Sequence, residues 1–429
     1  MTVELADYGL EDLVPGTEVR TGSGRRLIVR APIGGGNEGL VLHANCAGED
    51  VALKILRPDR SGTRLPRTRE LVRRAIASRV DARIAAPQDI VEYAGRVGHV
   101  SRLAQGADVA ALGENPAALN LRQRVMAVLK LGALLAKLHA VDIAFGDLNK
   151  GAVKVRPMGD ADADVQLVDL DSAVMKGVPL PPTLGAPDTA APELRTGVQP
   201  STVAAWKAAD WTAFGHISVD LLFNKTASCG IEDEQQQIDA FMGVPPFLQD
   251  NAHGRQVDRR AGLPSDMVPQ QLRRLLRRLF DPNPAVRDGR AVLRVLVNEV
   301  VNNHQIQCGS CGLAIFAHEG SRTCPVCANP LAAAAQLVLP NGQRLPVTGD
   351  LPVTRELLGG LPFVSRMHAR LFLLGSVPFA VSLSTGSWTT LVRGAAKMRL
   401  APGVHVPLLP GDRLRFGSAR YAEVMLIAA

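Results

Sequence analysis

At 429 residues, with 46% hydrophobic and 21% charged side chains, the chain is too long for one ordinary core and too apolar to be disordered. Its net charge of +7 suits partners carrying phosphates or acidic groups. The arginines gather in 57–83 and at Arg273, Arg274, Arg277 and Arg278 without interleaved aromatics, so nucleic acid is not an expected partner. No apolar run approaches the ~20 residues of a membrane span, and the opening MTVELADYGLEDLVPG has no apolar signal core, so a cytoplasmic protein without a membrane partner is expected.

The first ~90 residues alternate β-rich runs at 27–30, 40–44 and 51–56 with an Arg-rich helical pattern at 68–85. Between the first two runs lies Gly34-Gly35-Gly36-Asn37-Glu38-Gly39-Leu40-Val41, a G-x-G-x-x-G-x-V pattern. Glycines so spaced let a hairpin backbone approach a polyphosphate where a Cβ would clash. Val51-Ala52-Leu53-Lys54 then supplies an ammonium one strand later, a point charge for phosphate. The nucleotide-binding candidates are Gly34, Gly35, Gly36, Asn37, Gly39, Val41 and Lys54. Glu70, sixteen residues beyond Lys54, is a candidate carboxylate partner for it. The segment 98–104 reads as a further strand.

Residues 120–300 carry helical periodicity, as at 122–139, 206–223 and 269–280. Set among those helices are Phe145-Gly146-Asp147-Leu148-Asn149, then Asp169-Leu170-Asp171-Ser172 after an apolar run at 165–168. Gly185-Ala186-Pro187-Asp188-Thr189-Ala190-Ala191-Pro192-Glu193 follows, then Asp210-Trp211-Thr212-Ala213-Phe214-Gly215 and Asp281-Pro282-Asn283-Pro284-Ala285-Val286-Arg287. With the glycine pattern and Lys54, this ordered series resembles the protein-kinase signature set over about residues 20–300.

The resemblance implies a bilobal fold with ATP and Mg²⁺ as cofactors. It implies Asp147 as the base for a hydroxyl acceptor, Lys54 and Glu70 as the phosphate clamp, and Asp169 as the Mg²⁺ ligand. Glu193 with Arg287 would form a structural ion pair, and Asp210 would support the catalytic loop. The family places an Asn ligand for a second cation five residues after its Asp. Here Ala152 stands there, with Asn149 or Asp171 as candidate substitutes.

Further on, Cys308, Cys311, Cys324 and Cys327 form C-x2-C-x12-C-x2-C. Two such knuckles complete a closed tetrahedral thiolate site, with Zn²⁺ the default ion, iron the alternative, and a structural role. The last ~95 residues alternate apolar positions with Gly/Pro turns, as in a β-sandwich. Arg355, the Ser365-Arg366-Met367-His368 run and Leu409-Pro410-Gly411-Asp412-Arg413-Leu414-Arg415-Phe416-Gly417 resemble a forkhead-associated (FHA) domain. That resemblance implies a phosphothreonine protein ligand held by Arg355, Ser365 and Arg366, with His368 buttressing the loop. The family's peptide-holding Asn is missing from Trp388-Thr389-Thr390.

The expected architecture is multidomain α+β. A kinase-like domain spans 1–300, with its smaller lobe at about 15–105 and its larger at about 106–300. A zinc ribbon at 305–330 and an all-β FHA-like sandwich at 336–429 complete it. That order resembles bacterial kinase-like proteins associated with TerY-type von Willebrand A proteins and a PP2C-type phosphatase in tellurite-resistance-linked phosphorylation. The expectation is a Ser/Thr protein kinase acting on itself or a partner. The alternative is a pseudokinase scaffold that recruits partners without efficient transfer.

Overall fold

The computed structural model describes residues 5–36, 38–58, 62–115, 118–159, 162–180, 188–223, 270–302, 305–307, 310, 314–316, 329, 335–347, 350–374, 377–417 and 420–428. The chain divides into two compact units. One comprises Met1–Gln249 with Leu275–Leu293, and the other Asp250–Arg274 with Arg294–Ala429. The sequence boundary at 300 falls inside the helix Gly289–Asn302. Among the described residues no helix is long and apolar enough to cross a membrane.

The first unit opens with a six-stranded antiparallel sheet. Its strands are β1 (Glu18–Arg20), β2 (Arg26–Gly35), β3 (Gly39–Cys46), β4 (Glu49–Leu56), β5 (Asp89–Tyr93) and β6 (Arg96–Arg102), in the order β1-β2-β3-β4-β6-β5. Alternation along the strands sends Leu27, Val29, Leu40, Leu42, Leu53, Ile55, Val91 and Val100 into one apolar cluster. The expected helix at 68–85 is shorter and displaced. It runs Arg64–Arg74 and stops at Ala75, whose φ of 51° and ψ of 50° are left-handed. A residue so placed ends the hydrogen-bond ladder, and a four-residue turn, Ile76–Arg79, follows.

The larger part is built on the helices Leu121–Ala140 and Val203–Phe223. The first begins at a capping box that sequence reading missed: Asn120 accepts from Gln123 N at 2.9 Å, and Gln123 Oε1 accepts from Asn120 N at 2.8 Å. Close helix packing is set by absent side chains. A Cβ at Gly132 would strike the Leu293 methyls, and one at Gly289 would strike the Trp211 ring. An antiparallel hairpin, Val153–Met158 with Asp162–Leu167, crosses this region.

In the second unit, Gln305–Gln307 pairs with Ala314–Phe316. All four cysteines of the expected ribbon lie outside the described residues. Beyond them stand a six-stranded and a four-stranded sheet. Leu337, Leu414, Phe416 and Val424 from the first share one core with Val353, Ala369, Leu371 and Ala380 from the second. A two-layer β arrangement follows from alternation on both inner faces.

Candidate functional site

A hairpin joins β2 to β3, and beneath it lies a cleft of about 380 Å³. Gly34, Gly35, Gly36, Gly39 and Val41 line its roof, with Ala52, Lys54, Ser101 and Arg102 on the strands and Leu103 and Ala104 just beyond them. Asp147, Asn149, Val168 and Asp169 line the opposite wall. The structure thus brings most of the nucleotide candidates into one cavity. Asn37 lies outside the described residues.

The glycines do different things. A Cβ at Gly34 or Gly36 would meet nothing within 4 Å, so these positions leave the roof bare for a ligand. A Cβ at Gly39 would collide with the Ile55 carbonyl oxygen on β4, so this glycine serves the sheet itself. At Gly35 a Cβ would meet the Tyr8 phenol, which Arg57 covers at 4.6 Å while donating to Gly36 O at 3.3 Å. Gly39→Ala is therefore expected to destabilise the sheet by about 1–3 kcal/mol, read as a lowered midpoint in thermal unfolding, with Gly36→Ala close to wild type.

Lys54 sits on the central strand β4, between Val41 of β3 and His99 of β6, and is 6% exposed. Its ammonium meets Asp171 at 2.9 Å, Asp169 at 3.1 Å and Glu38 at 3.2 Å. Burial works against its charge, and the carboxylates of Asp171, Asp169 and Glu38 outweigh it, so its pKa rises. Asp171 is held down to about 2: burial opposes its charge and the Lys54 ammonium overcomes that. Glu38 goes the other way, raised by burial and by Asp171 against the pull of Lys54. Burial keeps His99 neutral, at about 4.

Three expectations are corrected here. Glu70 does not reach Lys54: it takes Arg73 at 2.6 Å and Arg74 at 2.8 Å, its own helix neighbours three and four residues on. Asn149 is not a free metal ligand. Its Oδ1 accepts from Gly151 N at 2.9 Å and Ala152 N at 3.1 Å, which uses both carbonyl lone pairs to cap a short turn. Asp171 turns its Oδ2 to Lys54 and is 8% exposed, away from the open cavity. Ala152 itself is fully buried.

Asp169 lies at φ 60°, ψ 41°, a left-handed conformation that Asp tolerates better than most residues and that marks functional turns. It lines the cavity beside Asp147. The Asp147 loop is fixed by its backbone. Asp210 accepts from Phe145 N at 2.7 Å and Gly146 N at 2.9 Å, and meets His139 Nε2 at 2.8 Å. Thr189 Oγ1 donates to Leu148 O at 2.9 Å. Arg287 meets Glu193 through two contacts, at 2.8 and 2.9 Å, as the sequence series implied. Gly185, Ala186 and Pro187 lie outside the described residues.

Among the described residues, no group of three or more His, Cys, Asp or Glu side chains is placed to hold a metal ion. Asp169 offers one carboxylate at the cavity wall, enough for Mg²⁺ where phosphate oxygens and water complete its shell.

The C-terminal unit has a polar cluster of its own. Ser365 Oγ lies 2.7 Å from Ser384 Oγ and 2.9 Å from Ser387 Oγ. Fully buried His368 accepts from Ser365 N through Nδ1 and meets Trp388 O through Nε2, which fixes the neutral tautomer with its proton on Nε2. Burial lowers its pKa accordingly. Arg355 is half-buried and donates from Nε to Val364 O at 2.6 Å, while Arg366 is exposed. Ser384 and Ser387 were missed in the sequence because nothing local predicts convergence of two loops. Trp388 is 45% exposed, with the Arg399 guanidinium 3.5 Å over its ring.

No protein-family model matches the chain, and no curated protein matches it.

Proposed function

We propose that the chain is a protein-kinase-like Ser/Thr phosphotransferase, binding ATP with Mg²⁺ in the cleft under the glycine hairpin. The observation that carries this reading is the convergence of Lys54, Asp147 and Asp169 beneath Gly34–Gly36, from four separate stretches of sequence. Lys54 supplies positive charge to the phosphates, and Asp169 would hold Mg²⁺, which neutralises phosphate charge when bound. Asp147 orients the acceptor hydroxyl and takes its proton. The base lies against Val41, Ala52 and Ser101–Ala104. Purified protein with radiolabelled ATP and Mg²⁺ is expected to label itself or a co-purifying partner. A wild-type chain that neither binds ATP nor transfers label would defeat the proposal.

A second reading, a scaffold that binds nucleotide without efficient transfer, is favoured by one observation. Asn149 spends its carbonyl on a turn and the Ala152 side chain has no ligating atom, so a second cation lacks a side-chain ligand there. Binding of ATP with one Mg²⁺ and no label transfer would select this reading.

In both readings the C-terminal unit is an FHA-like docking module for a phosphothreonine protein, and the four cysteines are a structural Zn²⁺ site. The partner class is a TerY-type von Willebrand A protein together with a PP2C-type phosphatase. Metal analysis is expected to return one zinc per chain, falling to near zero in Cys324→Ser. Iron in its place, or no metal, would overturn the zinc assignment.

A further inference from the structure

The geometry points to Asp171 as the positioning residue that holds Lys54 in place, the role expected of Glu70. The inference rests on the cleft being a nucleotide site. Lys54 has three ammonium protons and three carboxylate neighbours, so its hydrogen-bonding capacity is filled. The three neighbours are not equivalent. The Asp169 and Glu38 side chains are 46% and 38% exposed, and an entering polyphosphate can displace both. The Asp171 side chain is 7% exposed and behind the cavity wall, so it stays with Lys54 whatever enters. Asp169 is thereby released to face the ligand.

The helix Arg64–Arg74 is tied to this pair by a cation. Arg67, 1% exposed, donates to Asp171 O at 3.4 Å and Pro179 O at 2.7 Å, pinning the backbone around the carboxylate. Glu70 is already saturated by Arg73 and Arg74. A helix carboxylate is therefore not what orients Lys54 here. The orienting charge travels with the Leu170–Ser172 turn, two residues from the Asp169 that faces the ligand.

The test uses the full chain and two readouts. In ATP titrations, Asp171→Asn is expected to weaken binding at least tenfold, Asp171→Glu to recover part of that loss, and Glu70→Ala to stay within twofold. The second readout needs no nucleotide: unfolding by denaturant of Lys54→Met, Asp171→Asn and the double variant. If the two residues form one unit, the double variant is no less stable than the worse single. Glu70→Ala weakening ATP as strongly as Asp171→Asn, or additive losses in the unfolding series, would overturn the inference. A wild-type chain that binds no ATP removes the nucleotide reading alone, and the unfolding series still decides whether Asp171 holds Lys54.

Discussion

Asp147→Ala is expected to slow phosphoryl transfer by ~10²–10⁴-fold and to change ATP affinity by less than about twofold, the pattern of a lost general base. The split follows from how the loop is held. Asp210 grips Phe145 N and Gly146 N, Thr189 grips Leu148 O, and Asn149 donates to Asp147 O at 3.0 Å. None of these four contacts uses the Asp147 carboxylate, so all four remain when it is removed. Lys54→Ala is a less clean experiment. It strands Asp171, a buried carboxylate, and breaking a buried pair from one side costs about 3–5 kcal/mol. Lost activity in that variant would mix unfolding with lost phosphate contact. Single-turnover labelling with Asp147→Ala separates them, and equal label in wild type and variant would rule out Asp147 as base.

Much of the cleft was legible because its chemistry is written in short, fixed spacings. The glycine hairpin and Lys54 lie on adjoining antiparallel strands, where register follows from the turn, and the cavity contains them as expected. What failed were Glu70, Asn149 and Asp171, whose roles depend on which neighbour claims each side chain first. Only its distance along the chain from Lys54 points to Glu70. Yet Glu70-Leu71-Val72-Arg73-Arg74 already showed two cations at helical spacing, ready to claim it. Asn149 carried a readable signal too, an Asn before Lys-Gly whose side chain competes for backbone N–H groups. Glu38 gave no signal. Its carboxylate folds under the hairpin to Lys54 and Ser172, and only the tertiary structure sets that direction. The break at Ala75 was equally hidden, since alanine is the residue least expected to leave a helix.

Arg287→Ala is expected to be among the most destabilising single substitutions in the first unit, by about 3 kcal/mol or more. The Arg287 side chain is wholly buried, and its guanidinium serves two tasks. It forks onto both oxygens of Glu193, and it donates from Nε to Asp281 O at 2.7 Å and from the same fork to Pro282 O at 3.1 Å. Truncation would leave a carboxylate and two carbonyls without these donors, and a void the size of the side chain. Lysine cannot repair this, because one ammonium cannot span two carboxylate oxygens and two carbonyls in the planar fork geometry. Glu193→Gln should cost less, since its 22% exposed side chain keeps its shape and one acceptor oxygen. At about 2–4 °C per kcal/mol for a unit of this size, Arg287→Ala should lower its unfolding midpoint by roughly 6–12 °C. Because Glu193 lies in the first turn of Pro192–Arg195, shortly after Thr189, which holds the Asp147 loop, the same variant should also slow transfer at temperatures where the unit is still folded. A midpoint within about 2 °C of wild type would mean that the pair carries little of the fold's stability, as exposed pairs do.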